Sequence, residues 1–119
     1  MRVLLVRHKE EPKVVNIHHT LLEMQQLVDG NIEIVEPFDD NIALVCSENG
    51  RSDGKPLNCV ISSYLDIYGD FFLCKYGESE LEDLPEEKTF KYASMFRLPR
   101  NRYTSAIDEE NRLLFELFH

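Results

Sequence analysis

The sequence predicts an α+β domain: a mixed, mainly antiparallel sheet with two to three helices packed on one face. Three observations carry this. Short runs rich in Val, Ile, Leu and Phe recur along the chain, punctuated by turn residues, as strands require. Two segments combine helix-start signals with apolar residues at helical spacing. The 119 residues, 43% of them hydrophobic, are enough for one core without disulfides or metal, and they argue against disorder.

Val3 to Val6 reads as a first strand, the polar stretch from His8 to Pro12 as a turn, and Val14 to Ile17 as a second strand, together an N-terminal hairpin. Thr20 and Glu23 form a capping-box pair. Leu21, Met24, Gln25 and Val28 follow at helical spacing, and Gly30 is placed to end a helix running from about Leu21 to Asp29. Ile32 and Ile34 alternate with Glu33, as in a strand with one buried face, and Pro37 closes it. Asn41 to Ser47 is the most strand-like segment; Glu48-Asn49-Gly50 after it is a turn signal. Gly54, Pro56 and Asn58 make a loop, and Asp70 to Tyr76 is the next strand, ended by Gly77. Pro85 with Glu86 and Glu87 starts a second helix whose buried face is Thr89, Tyr92, Ala93 and Phe96 and which Pro99 stops. Ser105 and Asp108 start a third, with Ile107, Leu114, Leu117 and Phe118 on one side. Residues 1–98 therefore read as a single α+β domain, and 99–119 as a C-terminal extension with an amphipathic helix. That helix is too apolar for a loose tail and packs either on its own domain or on a second copy, as a homodimer.

The net charge of -9, from 13 Lys+Arg against 22 Asp+Glu, opposes duplex nucleic acid and an anionic membrane surface, because both are bound through cationic side chains. It suits solubility, a basic protein partner, or mimicry of an anionic polymer. Cys46, Cys59 and Cys74 are an odd number without CxxC pairing, which suggests reduced thiols in a cytoplasm. The apolar run at Val3 to Val6 is too short for a signal peptide or a membrane span.

No catalytic or metal signature emerges, and no cofactor is expected. Asp39 and Asp40 are a carboxylate pair without the further oxygen ligands a hard cation needs, so they read as a solvated turn. His18 and His19 lack the two extra ligands of a zinc site. Ser47 to Pro56 is polar and contains Gly, but it lacks the Gly-Lys-Ser/Thr ending of a phosphate loop. It is an exposed connection or a ligand or partner loop, with Asn49, Arg51, Asp53 and Lys55 as its candidate contacts. Glu78, Glu80, Glu82, Asp83, Glu86 and Glu87 form an acidic block, followed by a basic one of Lys88, Lys91, Arg97, Arg100 and Arg102. The blocks pair across one helix, or the basic stretch with Tyr92, Phe96 and Tyr103 grips a phosphate or an acidic partner.

A set of turn and core residues carries a family resemblance: Met24, Gln25, Leu27, Val28, Gly30, Ile32 and Glu33; Pro37, Phe38 and Asp39 or Asp40; Ala43 to Cys46, Glu48 and Gly50; Gly54, Pro56 and Asn58; and Gly69, Phe71, Phe72 and Gly77. In order and spacing the chain resembles the domain of unknown function 3846 family up to the helix near Phe96. Cys59 departs from the pattern, standing where the family carries a basic residue after the Asn, and Pro99 to His119 lies outside it. The resemblance implies an accessory protein of phages, plasmids or other mobile elements in bacteria, and it brings no catalytic residues.

Three functions are expected from these readings. The first is a non-catalytic accessory protein that binds and modulates a host or defence factor through acidic surface and loop residues. The second is a small-molecule binder that sequesters a nucleotide signal, with the Ser47 to Pro56 loop and the three arginines converging on phosphate. The third is a hydrolase built on Cys59 and a histidine.

Overall fold

A computed structural model describes residues 1–103 of the chain. The third helix expected from Ser105, and any dimer contact through it, lies outside the described residues.

The strands are β1 (Arg2–Val6), β2 (Lys13–Asn16), β3 (Ile32–Val35), β4 (Ile42–Ser47), β5 (Leu57–Ser62), β6 (Leu65–Tyr68), β7 (Phe71–Tyr76) and β8 (Leu81–Glu82), with helices α1 (Leu21–Val28) and α2 (Glu86–Met95) and a 3-10 turn over Pro99–Tyr103. Six strands form the main sheet in the order β2-β1-β7-β4-β3, with β8 paired to the end of β7, while β5 and β6 form a separate hairpin. Every pairing among the described strands is antiparallel. The fold is thus α+β on a mainly antiparallel sheet.

The helices do not share a face of that sheet, contrary to the expectation. Alternate residues of the central strands feed two separate cores. Val3, Leu5, Val45 and Phe72 pack with Met24 and Val28 of α1. Leu4, Val6, Leu44, Phe71 and Leu73 pack with Tyr92 of α2, with Phe96 at its C-terminal cap, and with Cys59, Ile61 and Ile67 of the hairpin. The reason lies in the strands: Val3 to Val6, Ile42 to Cys46 and Phe71 to Cys74 are buried at every position, and a sheet with continuous apolar strands must be covered on both sides.

The β5–β6 hairpin, absent from the sequence reading, is the principal addition. Asn58 secures it from inside: its Nδ2 donates to the Val6 and Gly69 carbonyls, both at 2.9 Å. Gly50 lets the β4–β5 connection pass under it, since a Cβ there would lie 2.5 Å from the Tyr68 carbonyl oxygen.

Two further local details differ from expectation. The Thr20 hydroxyl accepts the Glu23 amide, but the Glu23 carboxylate closes onto the His18 amide and ring instead of returning to Thr20. Asp29, not Gly30, takes the left-handed position that ends α1. At Gly30 a Cβ would lie 2.7 Å from Ser47 Oγ, so that hydroxyl would have to turn aside.

Candidate functional site

Strand β3 ends the sheet, and its side chains divide between two recesses. Glu33 and Val35, opposite Cys46 and Leu44, face the side covered by the hairpin. There they line a polar groove of about 380 Å³ with Glu48, Arg51, Tyr64, Asp66 and Tyr68. Ile32 and Ile34 face the α1 side and line a more apolar recess of about 350 Å³ with Met24, Tyr76 and Leu81, rimmed by His19, Glu78 and Glu80.

The polar groove is acidic. Glu33, Glu48 and Asp66 make no ion pair among the described residues. Its cation, Arg51, rests over the Tyr68 ring at 5.8 Å from the centroid. Tyr64, at the hairpin tip, is 97% exposed. An aromatic ring held in water beside unpaired carboxylates is suited to a cationic side chain, which gains from both the charges and the ring face.

The residues singled out from sequence scatter. Asp40 is a brace: its carboxylate accepts from the Tyr92 hydroxyl at 2.6 Å and the Lys88 ammonium at 2.9 Å, and Lys91 lies 3.9 Å away. The Tyr92 and Lys88 hydrogen bonds hold the Asp40 carboxyl below the usual carboxylate range. Asp39 is exposed in the same turn with φ 50. Asn49 and Asp53 border a polar cleft with Gln25, Gln26, Asn31 and Ser47, and Lys55 pairs with Asp29 at 3.0 Å. Only Arg51 of the set lines the groove.

The three arginines part as well. Arg97 and Arg100 are exposed, whereas Arg102 is 1% exposed. Its guanidinium donates to the Arg7 and Glu10 carbonyls and, at 3.0 Å, to Asn58 Oδ1. Among the described residues no ion pair joins the acidic and basic blocks across α2: Lys88 and Lys91 approach Asp40, while Glu82 faces Lys75 and Glu80 faces His19.

Cys59, on which the hydrolase reading rests, is 0% exposed, and burial pushes its thiol up to about 12. Cys46 and Cys74 are buried too, their thiols raised by burial to about 11 and about 12. None of these is positioned as a nucleophile, since a thiol needs its thiolate to react. No cluster of three His, Cys, Asp or Glu suited to a metal ion occurs among the described residues. No helix among them is long and apolar enough to cross a membrane.

The family described as Domain of unknown function (DUF3846) matches residues 1–97. The chain belongs to it. Neither the curated proteins nor the solved structures give a match. The DUF3846 span covers the whole main sheet, both helices and the hairpin, and it ends before Arg102. Asn58, part of the resemblance read from sequence, is therefore a DUF3846 position that here joins the sheet, the hairpin and the residues beyond the family span.

Sequence reasoning missed Tyr64, Asp66 and Tyr68 because it read no strand between Asn58 and Asp70. The signal was present: Cys59-Val60-Ile61 and Leu65 with Ile67 flank Ser62-Ser63, a hairpin pattern on either side of a polar pair.

Proposed function

We propose that this protein is a non-catalytic accessory protein of a phage or other mobile element that binds and modulates a bacterial host or defence protein. The observation that carries the reading is the groove between β3 and the β5–β6 hairpin, with Glu33, Glu48 and Asp66, which form no ion pair among the described residues, around an exposed Tyr64. Carboxylates arranged in this way favour a basic protein surface by charge complementarity and disfavour the phosphates of nucleotides or nucleic acid. The mobile-element context comes from what the family resemblance implies, and the net charge of -9 agrees with a basic partner. Inert buried thiols favour binding over hydrolysis. The phosphate-sequestering alternative loses support because Arg102, one of its three required cations, is occupied by protein oxygens. Mixing the purified chain with candidate host defence proteins and analysing the mixture by native mass spectrometry tests the proposal. A stoichiometric complex at micromolar concentration supports it; free components with every candidate sink it.

A further inference from the structure

The pairing of β3 with β4 fixes which of its backbone groups are in use. The Glu48 amide donates to the Asn31 carbonyl at 2.7 Å, so Asn31 and Glu48 form a hydrogen-bonded pair at the start of the ladder. Antiparallel ladders alternate bonded and non-bonded pairs, which makes Glu33/Cys46 and Val35/Leu44 the next bonded pairs. Ile32 and Ile34 fall between them, and their N–H and C=O groups point away from β4 along the free edge. Among the described residues no strand pairs with that edge.

We infer that the β3 edge accepts an extended segment of a basic protein partner as an additional strand, with apolar and basic side chains alternating along it. This rests on the protein-binding reading above and specifies how the partner is held. A strand laid beside β3 places successive side chains on opposite faces of the sheet. On one face they meet Ile32, Ile34 and the half-exposed Tyr76, so apolar side chains fit there. On the other they meet Glu33, Glu48 and Asp66 with the Tyr64 ring, so Lys or Arg fits there. Backbone hydrogen bonds along the edge supply affinity, and the two recesses supply selectivity. A helix cannot use the outward-facing N–H and C=O groups, because its own are already paired. A second copy of this chain is a poor occupant, since it brings the same acidic strand and the same net charge of -9.

The test uses the full chain with a fluorescently labelled peptide alternating Lys and Val, a Glu–Val peptide as control, and the variants Ile34→Pro and Glu33→Lys. Proline at 34 removes one outward N–H without removing a bond to β4, as edge strands tolerate. Fluorescence anisotropy should show the Lys–Val peptide binding and the Glu–Val peptide failing to bind. Both variants should weaken binding by about tenfold or more. If Ile34→Pro does not fold, exposed Glu33→Lys carries the comparison alone. Equal binding of both peptides, or binding unchanged in the folded variants, overturns the inference. So does self-association of the wild type that Ile34→Pro abolishes, which assigns the edge to a second copy. A host protein bound equally by the wild type and by Ile34→Pro overturns strand addition alone and leaves the protein-binding reading standing.

Discussion

Tyr92 donates its hydroxyl to the Asp40 carboxylate at 2.6 Å, across 52 positions of sequence, and so ties α2 to the turn between β3 and β4. The Tyr92 ring is itself buried against Phe38, with centroids 5.0 Å apart. Aromatic packing and a charge-assisted hydrogen bond therefore act at one point. Tyr92→Phe keeps the ring and loses the bond, and should lower unfolding stability by about 1–2 kcal/mol in urea titrations.

The same brace has a defined pH dependence. The Asp40 carboxyl is held below its ordinary value of 3.8 in the folded chain, so the unfolded state takes up protons first as pH falls. Its contribution is complete above that value and is lost as pH falls through the lower folded pKa. The stability gap between wild type and Asp40→Asn should be full at neutral pH and should narrow only below about pH 4. A gap that is constant down to strong acid contradicts the ionised brace.

Arg102 joins the end of the described chain to the hairpin through the Arg7 and Glu10 carbonyls and the Asn58 side chain. Arg102→Ala strands the buried Asn58 Oδ1, frees the two partly buried carbonyls and should destabilise by about 2 kcal/mol. Lysine cannot reproduce the planar fork and should rescue only part of the loss. Thermal unfolding of the two variants side by side measures the difference.

Much of the main sheet was legible because its strands declare themselves locally. Phe71 to Cys74 is a continuous apolar run in a segment bounded by Gly69 and Gly77, and Thr20 with Glu23 marks the start of α1 without any tertiary information. The same runs also held the evidence for two covered faces, since burial at both Phe71 and Phe72 requires a cover on each side. Other features were illegible for physical reasons. The pairing of β5 with β6 is one: the apolar residues on either side of Ser62-Ser63 signal a hairpin, but register shifts between Leu57 and Cys59 and between Val60 and Ser62 hide which residues oppose each other. Arg102 reads in sequence as one more surface cation, and only the convergence of Arg7, Glu10 and Asn58 from distant positions makes it a core residue. The groove depends on β3 and β6 meeting in space, which no local pattern encodes.

The glycines of the β4–β5 connection offer a contrast. A Cβ at Gly50 would press on the Tyr68 backbone, whereas at Gly54, with φ 79, nothing lies within 4 Å. Gly54→Ala should cost about 1 kcal/mol from backbone strain alone. Gly50→Ala should cost more, because the hairpin itself must move. Chemical denaturation of both variants orders the two effects.

The buried thiols should resist alkylation. With Cys59 and Cys74 pushed up to about 12 and Cys46 to about 11, the folded chain holds almost no thiolate at pH 8. Mass spectrometry after iodoacetamide treatment should find all three unmodified in the native protein and modified in denaturant. Rapid labelling of Cys59 in the native state would contradict this burial.

The central claim, that a protein partner binds at the acidic groove beside β3, is tested most directly by affinity capture from host lysate. The wild type is compared with the Glu33→Lys, Asp66→Lys double variant, and native mass spectrometry reads what each retains. The account predicts one stoichiometric protein held by the wild type and lost by the charge-reversed chain, both chains remaining folded. Retention of no protein by the wild type, or of the same protein by both chains, contradicts it.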